Sequence, residues 1–167
     1  MQSKTQPKAF DLEAEIRKLA DRAAITDVVH RYCRGINTND ASLVASCFTA
    51  DAVLVSGGQT MHGNQAIENF YIEWFRTTSK GGGSAMQRKV STPYSTNLEI
   101  TLEGDRARGT SSGLAIHAGT RGDDGCITVR GVFYRDEFVR TENGWRISDR
   151  YHGAHWASEF PARLVPH

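Results

Sequence analysis

From Asp11 to about Gly35, apolar residues recur at helical spacing: Leu12, Ile16, Leu19, Ala23, Ile25, Val28, Val29, Tyr32 and, just beyond, Ile36. Residues three and four apart share one face of an α-helix, so the run predicts a long amphipathic helix with a face that must be covered. Asn39 or Asp40 can cap a second, shorter helix carrying Leu43, Val44, Cys47 and Phe48, because a short side-chain oxygen there accepts from the free amides of the first turn. Asp51 leads into Ala52-Val53-Leu54-Val55, a strand candidate, and Gly57-Gly58 turns the chain. Asn64 can cap a third helix, whose stripe of Ile67, Phe70, Tyr71, Trp74 and Phe75 is the most aromatic segment. Gly81-Gly82-Gly83-Ser84 ends it in a loop that reads either as a lid beside a cavity or as a plain surface connection.

After Lys89 the period changes. Four long strand candidates, at about 89–101, 106–119, 126–141 and 145–156, are joined by Glu103-Gly104-Asp105, Gly122-Asp123-Asp124-Gly125 and Glu142-Asn143-Gly144. Gly, Asn and Asp are the residues that tolerate the positive φ of tight hairpins, so this half predicts an antiparallel meander. Helices first and a meander afterwards predict an α+β architecture, with a curved, mostly antiparallel sheet packed against three N-terminal helices. Residues 1–10 read as a flexible N-terminal tail, 11–156 as the folded domain and 157–167 as a C-terminal tail.

A chain of 167 residues suits one such domain. Twenty Lys and Arg against nineteen Asp and Glu leave a formal charge of +1, and the basic residues are scattered, so nucleic acid is not the expected partner. The opening residues lack the apolar run of a secretory signal, and no stretch of about 18 apolar residues follows, so no membrane partner is expected and the protein reads as soluble and cytoplasmic. Cys33, Cys47 and Cys126 are odd in number and lack CxxC spacing, which fits reduced, mostly buried thiols. No dinucleotide, Walker, zinc-protease or hydrolase-elbow pattern occurs; no cofactor and no metal are expected.

Three stretches together resemble the SnoaL-like branch of the nuclear transport factor 2-like superfamily. They are DRAAITDVVHRYCRGINTNDASLVASCFTADAVL from Asp21 to Leu54, HGNQAI from His62 to Ile67, and GVFYRDEFVRTENGWRISDRY from Gly131 to Tyr151. The resemblance runs from Leu19 to Tyr151 and implies a cone-shaped α+β barrel that encloses one small apolar molecule. The most similar subgroup holds hexachlorocyclohexane dehydrochlorinase, scytalone dehydratase and bile-acid dehydratase, in which an Asp and a His abstract a proton inside the cone. Here the Asp position falls on Asn37 and the His position on Pro93. An amide takes no proton at neutral pH and proline offers no side-chain base, so the family mechanism cannot run on this pair.

Other polar groups remain. Asn37 reads either as a hydrogen-bonding group for the ligand or as a turn residue. Tyr32, where related dehydratases place a cavity tyrosine, reads equally as a core tyrosine with a satisfied hydroxyl. Strand alternation puts Ser148, Arg150 and His152 on one face and Trp145, Ile147, Asp149 and Tyr151 on the other. In the dehydrochlorinase-like subgroup an arginine at the Arg150 position points into the cavity, where it would hold developing negative charge; the alternative is a weak cross-strand ion pair on a solvated face. His152 is the candidate general acid or base, since imidazole titrates near neutrality. His155 extends into an irregular tail, and His117 faces away from Leu114 and Ile116.

Arg150, His152, Tyr32 and Asn37 are therefore the expected catalytic residues. Trp74, Phe70, Tyr71, Tyr94, Asn97 and Phe133 are the expected substrate contacts. The reaction expected is a cofactor-independent elimination, isomerisation or cyclisation of a polyketide-, terpenoid- or polycyclic-like molecule. The alternatives are a non-catalytic small-molecule binding protein and the small subunit of a ring-hydroxylating dioxygenase. Superfamily members pair through the outer side of the sheet, and apolar residues on both strand faces, Val129 and Phe133 against Val132 and Phe138, predict a homodimer or homotrimer.

Overall fold

The structure is a computed structural model, which describes residues 11–81 and 86–165. The N-terminal tail and most of the Gly-rich loop expected from the sequence lie outside the described residues. Helix α1 spans Leu12–Thr38. Asp11 caps it by accepting from the Ala14 amide, and Asn39, in the left-handed conformation at φ 56°, closes it by donating its amide to Gly35 and Ile36 carbonyls. Asp40 then caps α2, Ala41–Ala45, through the Leu43 amide. Helix α2 is shorter than its apolar pattern implied, because Phe48 already opens a strand.

Strands β1 (Phe48–Ser56) and β2 (Gln59–His62) form a hairpin around Gly57 and Gly58. The short β2 has too few alternating positions to be read from sequence. Helix α3, Asn64–Lys80, starts after Gly63 rather than being capped by Asn64. Gly63 sits at φ 85° with the Ala50 carbonyl only 3.1 Å from where a Cβ would stand, so only glycine fits that entry. The meander follows as β3 (Gln87–Glu103), β4 (Arg106–Arg121), β5 (Asp124–Thr141) and β6 (Gly144–Pro161). Its turns fall at the three Gly-containing joints, and β6 continues past the expected end at residue 156.

The sheet order is β2-β1-β6-β5-β4-β3, antiparallel throughout except where β1 meets β6 in parallel. It is an open sheet with β2 and β3 at its edges, so the cone is a curved wrap and not a closed barrel. Helices α1 and α3 cover its concave face. Bulges bend the long strands: one in β3 between Thr96 and Glu99, with Asn97 at φ 42°, and others in β6 beside Ser148 and His155.

The core lies between helices and concave face. Ile25, Val28, Tyr32 and Ile36 from α1, Ile67, Tyr71 and Phe75 from α3, and Leu54, Phe138, Trp145 and Ile147 from the sheet are all buried. Each large side chain so buried stabilises the fold by roughly 1.5–3 kcal/mol. The apolar face of α1 is not covered along its whole length, for Leu12, Ile16 and Leu19 in its first turns remain exposed. On the outer face of the sheet Tyr94, Leu114, Trp156 and Phe160 are also exposed. Among the described residues no helix is long and apolar enough to cross a membrane.

Candidate active site

A cavity of about 510 Å³ opens between α1, α3 and the concave face, walled by Tyr32, Phe70, Tyr71 and Trp74 from the helices and by Pro93, His117, Arg130, Tyr134 and His152 from the strands. The aromatic stripe of α3 supplies one wall because Phe70, Tyr71 and Trp74 follow one another around the helix toward the sheet. The opposing strands contribute alternate residues. Pro93, Ala115 and Arg130 are cross-strand neighbours in one row.

Beneath the cavity lies a buried ionic layer. Arg150, 1% exposed, donates two hydrogen bonds to Asp136, Nε to Oδ1 at 2.7 Å and Nη2 to Oδ2 at 2.8 Å. Its guanidinium lies 4.2 Å from the ring centre of Tyr32 and 4.7 Å from that of Tyr134. Burial works against the charge, but the Asp136 carboxylate outweighs it and holds Arg150 protonated. Arg150 does not itself line the cavity: it forms a cross-strand ion pair, but a buried one and not the solvated pair expected as the alternative, and it reaches a ligand only through the tyrosines in front of it. It shares the concave face with Trp145 and Ile147, which simple alternation had put on the opposite face. The bulge at Ser148 shifts the phase by one residue, because β5 pairs Phe138 with Ile147 but Glu137 with Asp149.

Tyr32 and Tyr71 both wall the cavity and share a hydrogen bond of 2.6 Å between hydroxyls. Burial drives the titration of Tyr32, Tyr71 and Tyr134 upward, so all three remain neutral phenols that can donate a proton in a hydrogen bond. Of the two hydroxyls in the Tyr32–Tyr71 pair, one donates to the other and the second keeps its proton for a ligand.

Two histidines complete the wall, built alike. His152 Nδ1 is 3.0 Å from Ser56 Oγ on β1, and its ring stacks on Tyr134 with centres 4.9 Å apart. His117 Nδ1 is 2.9 Å from Ser91 Oγ on β3, with Trp74 against its ring. A serine hydroxyl can donate or accept, so either tautomer of each imidazole is available. Burial, then the positive charges of Arg150 and Arg130, pushes His152 down to about 4. Burial, then Arg88 and Arg130, pushes His117 down to about 4 as well. Both are therefore neutral near pH 7. The Nε2 of His152 is buried and has no partner among the described residues.

Of the residues expected from sequence, Tyr32, His152, Phe70, Tyr71 and Trp74 converge on this cavity. Asn37 does not: it sits at the exposed end of α1, and its amide donates to the Ser91 carbonyl at 2.8 Å, fastening the helix to β3. Tyr94 is 52% exposed on the outer face, the side opposite Pro93. Asn97 and Phe133 lie together beside a separate, shallower depression, where Phe133 stacks on His155. His155 is thus part of β6 and distant in role from His152. Asp136, His117 and Arg130 were not foreseen. Pro93 marks the row in which Arg130 stands, and the spacing of His117 from Ala115 and Leu114 is the sequence signal that could have found it.

Among the described residues no group of three or more His, Cys, Asp or Glu is arranged to hold a metal ion. The three thiols are free, and burial raises those of Cys33 and Cys47, the latter to about 11, so neither is a ready nucleophile.

Solved structures share this architecture. A hexachlorocyclohexane dehydrochlorinase of LinA type 3 from Novosphingobium barchaimii is 21% identical, with a TM-score of 0.72 over 92% of this chain and 99% of that one. An ntf2-like protein with a cystatin-like fold from Novosphingobium aromaticivorans is 23% identical, with a TM-score of 0.71 over 86% and 88%. A Mycobacterium tuberculosis protein of unknown function is 23% identical, with a TM-score of 0.66 over 88% and 79%. At these identities the likeness establishes the fold. Curated proteins give no match. The family model described as a SnoaL-like domain matches residues 17–151, which contain the buried ionic layer and most of the cavity wall, and the chain belongs to that family.

Proposed function

We propose that this protein is a cofactor-independent lyase, isomerase or cyclase that acts on a small, largely apolar molecule held in the cavity. The reading is carried by His152, a neutral imidazole in the cavity wall with Nδ1 against Ser56 and Nε2 unpaired. With Ser56 Oγ accepting from Nδ1–H, the Nε2 lone pair is left without a partner among the described residues and can take a proton from a ligand that reaches it. The Tyr32–Tyr71 pair donates to the oxygen on which negative charge develops, and Arg150 stabilises that charge from behind the tyrosine rings without touching it. Arg150 is a positioning residue in this scheme. Proton abstraction moves from the family's dyad positions, here Asn37 and Pro93, to the histidines.

Deuterium exchange tests this. Wild type and His152→Asn, which can keep a polar contact to Ser56, would be incubated in D2O with a panel of cyclic ketones and β-hydroxy ketones and followed by NMR. Loss of exchange or elimination by about 10²-fold or more in the variant is expected for a general base. No turnover by wild type across the panel, or equal turnover by both proteins, would sink the catalytic assignment.

The second reading is a non-catalytic binder, favoured by the amide and the proline at the dyad positions. Native mass spectrometry of freshly purified protein separates the two, because a carrier retains an unaltered molecule through repeated exchange whereas an enzyme releases product. We also propose that the exposed Tyr94, Leu114, Trp156 and Phe160 contact a second copy of the chain in a homodimer or homotrimer. A monomeric mass by light scattering at micromolar concentration would refute that.

A further inference from the structure

Arginine in the middle of an antiparallel sheet ordinarily finds a carboxylate across the strand or one step along it. Arg130 has no such partner among the described residues. Its register neighbours are Ala115 on β4 and Ala157 on β6. Glu159, which stands opposite Thr128 and so one step along the same face, is taken by Arg121 at 2.7 Å. Arg130 has no hydrogen bond or ion pair among the described residues, yet it is half-buried and forms part of the cavity wall.

The surroundings add to the imbalance. Among the described residues no Asp or Glu lines the cavity. Three guanidinium groups flank it: Arg130 in the wall, Arg150 beneath it, and Arg88 behind Trp74, 4.5 Å from that ring's centre. Asp136 is the one carboxylate that pairs with any of the three among the described residues, and it is spent on Arg150. A low-dielectric cavity with an excess of positive charge attracts an anion, and guanidinium is the side chain whose paired N–H groups match a carboxylate.

We infer that Arg130 anchors the carboxylate of an ionised, otherwise apolar organic acid, whose body lies against Phe70, Tyr71 and Trp74. The inference rests on the cavity being the ligand site of the proposed function. It also gives that function a missing element: the anion would offset the cations that depress His117 and His152 and so make these imidazoles better bases while the ligand is bound.

The test uses two probes of one shape, 2-naphthoate and its neutral isostere 2-naphthamide, titrated calorimetrically into wild type, Arg130→Met and Arg130→Lys. In wild type the acid should bind at least about tenfold more tightly than the amide, and the preference should shrink in added salt. It should vanish in Arg130→Met and survive in weakened form in Arg130→Lys. NMR titration of the histidine ring carbons gives a second readout: naphthoate should raise the midpoints of His117 and His152 in wild type and leave them in place in Arg130→Met. Equal binding of acid and amide by wild type, or an acid preference that persists in Arg130→Met, overturns the anion site and leaves the cavity reading standing. Failure of both probes to bind overturns the cavity reading together with this inference.

Discussion

Arg150 and Arg130 occupy neighbouring strands of the same concave face under opposite conditions. Arg150 is almost wholly buried, held through Nε and Nη2 by Asp136 and set in the angle between the Tyr32 and Tyr134 rings. Arg130 is half-buried and unpaired among the described residues, with alanines on either side. A charge removed from water must bring its counter-charge into the fold, and a charge left at the edge of a cavity need not. The first arrangement serves the architecture, and the second is available to a ligand.

The same substitution at the two sites should therefore give very different results. Arg150→Met strands the Asp136 carboxylate in the core and should cost about 3–5 kcal/mol in urea unfolding. Arg130→Met should move stability by less than about 0.5 kcal/mol. Adding Asp136→Leu to Arg150→Met should recover most of the loss, since it removes the stranded charge. A large loss at Arg130, or a small one at Arg150, breaks the comparison.

Acid sharpens it. In the unfolded chain both histidines titrate near 6.5, and in the folded protein both are held down to about 4. Between those values the unfolded state binds protons that the folded state refuses. Stability from this source is complete above pH 6.5 and falls as pH drops toward 4, by up to about 3 kcal/mol for each histidine. Urea midpoints measured from pH 7.5 to 4.5 should show the decline, and His117→Gln should make it shallower. A flat profile would mean that burial and the neighbouring arginines do not depress the imidazoles in the folded protein.

Smaller effects lie outside the pair of arginines. Asn37→Ala removes one hydrogen bond between α1 and β3 and should cost about 1 kcal/mol without altering naphthoate affinity. A lost affinity would return Asn37 to the ligand. Tyr94→Ser, on the exposed outer face, should change monomer stability by under about 0.5 kcal/mol and leave the cavity untouched.

Much of this molecule was legible as pattern. The 3.6-residue period of α1, the aromatic stripe of α3 and the glycine-bearing turns of the meander are local signals, and each falls where the structure has it. Tyr32, Phe70, Tyr71 and Trp74 were legible for the same reason, as residues on helix faces that must meet a sheet. Strand faces were harder. Tyr94 follows Pro93, and alternation alone sends it outward once Pro93 is known to face the cavity, but Phe133 lies in a strand that is apolar on both sides and gives no such cue. At Ser148 one bulged residue reverses the phase of the last strand, and no local pattern announces it.

By itself, then, the sequence determined the elements and their order, because propensity, periodicity and side-chain chemistry act within a few residues. Only the tertiary structure decided which charges are paired. Asp136 meets Arg150, and Arg130 meets two alanines, through the registers of β4, β5 and β6. Those registers are set by bulges and by the burial of a whole sheet face, and the balance of charge around the cavity follows from them.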